Sequence, residues 1–164
     1  MTPLIFLLLL GADPNAAAPR EELASVVKTA FRETHDGWSA DEVLVNDQLN
    51  AAFIAHCRRS APKAREFDLN WTLLNLRKAG GLDAKATKRK TTRHDNYGHA
   101  AEIAARWMFD KHQLTVDRVL CDPEQRKEFD RIAQAAAPGV EAYRLRKAAL
   151  SLRKTRKLRP ELTA

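Results

Sequence analysis

Cysteine is nearly missing: Cys57 and Cys121 are the only two in 164 residues, and neither belongs to a Cys-x-x-Cys pair. A disulfide framework and a thiolate zinc site are thereby excluded as organising features, and His56-Cys57 with Cys121 lacks zinc-finger spacing. Two isolated thiols in helical pattern suit a reducing, cytoplasmic setting. Glycine is also scarce, at six residues, and no glycine-rich phosphate loop, Gly-x-Ser-x-Gly or His-Glu-x-x-His occurs. The commonest nucleotide, hydrolase and metalloprotease signatures are therefore absent, and the sequence implies neither enzyme nor cofactor. No apolar run approaches the ~20 residues that span a bilayer. The longest, Leu4 to Leu10, has no positive segment before it as a secretory leader would. Alternating strand patterns are lacking too, so the fold class is all-α. Acids are short against bases, 21 to 28, giving +7 and a pI near 9.7. Such a balance points to an anionic partner and says nothing of fold.

What is present is repetition. Leu74-Asn75-Leu76-Arg77-Lys78 returns as Leu150-Ser151-Leu152-Arg153-Lys154, and the same offset pairs Asp41 with Asp117, Val43-Leu44 with Val119-Leu120 and Phe53 with Phe129. It also pairs Ala61-Pro62 with Ala137-Pro138 and Leu69 with Leu145, for 12 identities over the 44 positions of 39–82 and 115–158 without a gap. The matches fall on apolar, Pro and Arg-Lys sites, as in a duplicated helical unit. The expected organisation is an apolar segment (1–18), a first four-helix unit (19–82), a basic linker or wing (83–97) and a second four-helix unit (98–160). A unit of ~60 residues buries only about 60% of its unfolded surface, so each half should lean on the other.

Local signals place the helices. Leu23, Val26, Val27, Ala30 and Phe31 recur at helical spacing behind Pro19 and two acids. Ser39-Ala-Asp-Glu42 reads as a capping box, in which Glu42 reaches back to the serine amide. Asn46 or Asp47 caps the next helix, and Asp122-Pro123-Glu124 opens its counterpart. Asp68 starts the helix that Gly80-Gly81 ends. Ile103, Ala104, Trp107 and Met108 form the inward stripe of the fifth helix. Short β pairs are expected at most around 82–90 and after Leu158.

The order helix, short helix, helix, turn, basic helix, basic loop resembles tandem helix-turn-helix or winged-helix modules. The likeness is architectural, and the turn at 61–66 exceeds the usual length. It implies binding of nucleic acid, duplex DNA before RNA, by the last helix of each unit through Arg77, Lys78, Arg146, Lys147, Arg153, Lys154, Arg156 and Lys157. Lys88, Arg89 and Lys90 of the linker would add phosphate contacts. The plainer alternative is an adaptor subunit of a larger complex whose basic faces dock an acidic protein. Trp71 is a candidate for base stacking, while Trp107, opposite Phe31, has the place of a core residue. Arg93-His94-Asp95 has metal-site residue types crowded into one loop, with no third ligand from elsewhere, so no metal is expected. Residues 2–16, with Gly11-Ala12-Asp13-Pro14-Asn15, resemble the end of an ankyrin repeat without its middle or a second copy.

Overall fold

A computed structural model describes residues 20–88 and 97–154. The apolar N-terminal segment with its ankyrin-like stretch, residues 89–96 including Arg93-His94-Asp95, and the end of the chain lie outside the described residues. Eight helices run through those described: α1 (Arg20–Thr34), α2 (Ala40–Val45), α3 (Asp47–Ser60), α4 (Glu66–Lys78), α5 (Gly98–His112), α6 (Val116–Cys121), α7 (Pro123–Ala136) and α8 (Ala142–Lys154). None is long and apolar enough to cross a membrane. No strand occurs among them, so the expected β pair finds no counterpart over 82–88. The bounds of α2, α3 and α4 each return in α6, α7 and α8 at an offset of 76 residues, the offset of the sequence alignment.

Helix starts follow their chemistry. Asn46 Oδ1 accepts from Gln48 N at 3.0 Å and Leu49 N at 3.1 Å, and Asp122 Oδ1 accepts from Glu124 N at 2.9 Å and Gln125 N at 3.1 Å. Each carboxamide or carboxylate oxygen satisfies two amides that the helix leaves without partners. Ser39 Oγ accepts from Glu42 N at 3.2 Å, but Glu42 does not complete the capping box. Its carboxylate is drawn across the molecule to Tyr143 and Lys147. Asp68 likewise starts no helix: α4 begins two residues earlier, and Asp68 holds Arg65 at 2.7 Å instead. At the other end of α4, Gly80 takes φ +68° and Gly81 N donates to Leu76 O at 2.8 Å, closing the helix as the double glycine predicts.

Two apolar cores result. Val27, Ala30 and Phe31 of α1 pack on Val43, Phe53, Leu69 and Leu73. The alanines of α5, at positions 100, 101, 104 and 105, let α7 and α8 approach closely around Met108, Phe129 and Leu145. Phe53 and Phe129, at equivalent positions, are both fully buried and each contribute about 2–3 kcal/mol of apolar transfer. Ile103 departs from expectation, standing 50% exposed, because the alanine stripe that faces the core leaves position 103 turned outward. Leu44, Val45 and Leu74 from the first half enter the second core. Helix α4 packs on α6 and α2 on α8, so the last helix of each half lies along the seam between them.

The linker returns to the first half before it leaves the described residues. Thr87 N and Lys88 N both donate to Gly37 O at 2.9 Å, in a turn where Asp36 and Gly37 have positive φ. A Cβ at Gly37, φ +77°, would stand 2.5 Å from Thr87 Oγ1. Gly37→Ala is expected to cost about 1–3 kcal/mol through backbone strain and loss of this clasp. Gly80→Ala, whose Cβ meets nothing within 4 Å, should cost only about 1 kcal/mol. Urea midpoints of the two variants check the order, and equal losses would show that the clasp holds nothing.

Candidate nucleic-acid interface

The C-terminal turns of α4 and α8 meet on the seam beside the first turns of α2 and α6. Cations suit the end of a helix, where the carbonyl dipoles accumulate. Here they find carboxylates as well. Arg77 Nη2 lies 3.1 Å from Asp41 Oδ1 within its own half, and Lys154 Nζ crosses from the other half to Asp41 Oδ2 at 2.6 Å. The arrangement repeats with the halves exchanged: Arg153 pairs with Asp117 within its half, and Lys78 Nζ crosses to Asp117 Oδ2 at 2.9 Å. Every member has its equivalent at the 76-residue offset. Buried backbone groups are shared the same way. Asn70 Nδ2 donates to Cys121 O at 3.2 Å, and Arg146 Nη1, at the position equivalent to Asn70, donates to Val45 O at 3.1 Å. Those carbonyls end α6 and α2, where a helix leaves its acceptors open.

Six of the cations expected to contact nucleic acid have carboxylate partners in the fold. Arg77, Lys78, Arg153 and Lys154 bridge Asp41 and Asp117. Arg146 is buried against Asp130, with Asp47 2.6 Å from Nη1, and Lys147 Nζ lies 2.9 Å from the buried Glu42. Helix α8 has only Arg144 and Lys154 exposed, and α4 only Lys78. Neither has the open face with which a recognition helix enters a groove. Lys88 is half exposed, bound to Asp36 at 2.7 Å and lying 5.8 Å over the Trp38 ring. Arg89, Lys90, Arg156 and Lys157 lie outside the described residues.

No family model, curated protein or solved structure matches this chain. The reading of the seam thus rests on its own electrostatics. Four cations share two carboxylates there, an excess of two positive charges. The acids lie beneath, Asp117 at 1% side-chain exposure and Asp41 at 14%, while Lys78 at 43% and Lys154 at 54% stand over them. Arg77 Nε and Nη2 are buried without a hydrogen-bond acceptor among the described residues, for the close approach to Asp41 is an ion pair without hydrogen-bond alignment. Burial alone would raise the Asp41 pKa, but the Lys154 hydrogen bond and the charges of Lys154, Arg77 and Arg153 outweigh it and hold the carboxyl below its ordinary value. Asp41 therefore stays ionised.

Part of the remaining charge lies outside the described residues. Seven of the 28 cations and three of the 21 acids fall in residues 1–20, 89–96 and 155–164, which leaves 21 cations against 18 acids elsewhere. Lys88, the last described residue before one basic stretch, is bound to the turn of Asp36 and Gly37. Lys154, the last described residue before the other, is bound to Asp41. The acidic partners were the signal missed in sequence: Asp41 and Asp117 belong to the same alignment as the Arg-Lys pairs. Among the described residues no three His, Cys, Asp or Glu side chains gather as metal ligands.

Proposed function

We propose that this chain is a non-enzymatic nucleic-acid-binding protein that holds duplex DNA on the seam face, with a duplicated helical unit as scaffold. The observation that carries the reading is the surplus of cations over carboxylates on the seam, with further cations following Lys154 in sequence. Lys78 and Lys154 begin the contact, and Arg156, Lys157 and Arg159 continue it in sequence. Lys88, Arg89 and Lys90 flank it from the linker. Charges on flexible stems that face phosphate give affinity without base readout, so binding by this face is insensitive to sequence.

A salt titration of a fluorescent duplex tests it. About five phosphate contacts predict log affinity falling with log salt at a slope of roughly −4 to −5. Lys78→Gln with Lys154→Gln should flatten that slope by about two, since each contact contributes roughly −0.9. A flat titration would remove the DNA reading in favour of an adaptor that docks an acidic protein. Tighter binding to a structured RNA than to the duplex would transfer the reading to RNA.

A further inference from the structure

Helix α4 carries a second feature beside the seam. Phe67 and Trp71, one turn apart, stack with centroids 6.0 Å apart and planes 10° from parallel, and both are only partly buried. Two cations from opposite halves lie over the Trp71 ring: the Lys78 ammonium at 5.7 Å and the Arg118 guanidinium at 5.6 Å from its centroid. Arg118 is exposed and has no carboxylate partner among the described residues. Its equivalent in the first half is Glu42, whose carboxylate instead binds Tyr143 and Lys147, the counterparts of Phe67 and Trp71. The two sides of the seam thus differ in one respect: one is closed by an internal acid, and the other presents an aromatic pair under two positive charges.

We infer that Phe67, Trp71, Lys78 and Arg118 form a site for one unpaired nucleotide of a single strand. The inference rests on the proposed nucleic-acid reading and adds to it the strand state that this part of the seam prefers. A nucleotide joins a flat π-system to an anionic phosphate, and the site joins an indole platform to a mobile guanidinium and an ammonium. The base takes the Trp71 face that Arg118 covers, and Arg118, free of any carboxylate, swings to the phosphate beside Lys78. Any base has a π-face, so the site accepts all four. An unpaired tract satisfies the site, whereas the stacked bases of a duplex do not.

The test uses the full chain with a short oligothymidylate and a blunt duplex of the same length, reading indole emission and affinity. The oligothymidylate is expected to quench emission, and Trp71→Phe, which keeps a ring at that position, to lose most of that quenching. Trp71→Ala should weaken oligothymidylate binding roughly tenfold, within the range for loss of one stacked base, and leave duplex affinity unchanged. Arg118→Gln, at an exposed position that carries no core packing, should weaken the same binding severalfold and keeps the inference testable should Trp71→Ala misfold. Undiminished quenching in Trp71→Phe, or oligothymidylate affinity untouched by Arg118→Gln, would overturn the site. Steep, salt-dependent duplex binding without any quenching would overturn it and leave the DNA reading standing. Quenching without duplex binding would do the reverse, and neither signal would remove both.

Discussion

Asp117→Asn is expected to destabilise the protein by about 3–5 kcal/mol, the range for removing one partner of a buried ion pair. The substitution keeps the shape but turns one acceptor oxygen into a donor amide and deletes the charge that neutralises Arg153, itself 8% exposed, and that anchors Lys78 from the other half. Asp41→Asn is the built-in comparison. Its partner Lys154 is 54% exposed and recovers water when released, and Asp41 itself is less deeply buried than Asp117, so the loss should be nearer 1–2 kcal/mol. Urea unfolding of the two variants decides the matter, and equal losses would mean that depth in the seam plays no part. Acid adds a second handle on Asp41. Because its native pKa is lowered, its stabilisation is complete above the ordinary value of 3.8 and fades as pH falls through the lower native value. Both variants remove a negative charge from beneath Lys78 and Lys154. On the proposed DNA reading they should bind the duplex more tightly than the wild type while unfolding more easily. That combination of opposite signs is hard to obtain from general loss of structure.

The sequence made the helices legible because they are written in local terms. Apolar spacing set α1, caps at Asn46 and Asp122 set α3 and α7, and Gly80-Gly81 ended α4. The Leu-x-Leu-Arg-Lys motif stood out because its leucines and cations serve the same contacts in both halves. What the motif binds was not legible, since Arg77 meets an acid 36 residues away in sequence and Lys154 one 113 residues away. A charge count sees eight cations near the end of the chain and no acid among them; only the fold brings Asp117 to Arg153 and Asp41 to Lys154. Glu42 shows the same limit. Its place three residues after Ser39 fits a capping box, yet a tyrosine and a lysine from α8 compete for its carboxylate and win. The same two residues hold the N-terminal turns of α8 against the other half of the molecule.

Arg146→Met is expected to cost a further large amount, about 3–5 kcal/mol, although the sequence alone suggests a DNA contact at this position. The guanidinium donates through Nε and Nη2 to both oxygens of Asp130 and through Nη1 to Val45 O and Asp47 Oδ1. It thus ties α8 to α7, α2 and α3 at once. Methionine fills much of the volume but leaves the Asp130 carboxylate, 8% exposed, without its counter-charge and the last carbonyl of α2 without its donor. Arg146→Lys retains the charge and loses the fork, so it should still cost about 2 kcal/mol. Asp130→Leu placed on the Arg146→Met background should recover a good part of the loss, because replacing both members of a buried pair by apolar groups removes the desolvated charge altogether. A urea series over the three variants, with duplex affinity measured on the folded fraction, separates the two roles. If Arg146→Met unfolded at the wild-type midpoint and bound DNA weakly, Arg146 would be a phosphate contact after all. The position equivalent to it, Asn70, argues the other way: an uncharged side chain there reaches the matching carbonyl of the opposite short helix, so the common task of the two positions is to close the seam.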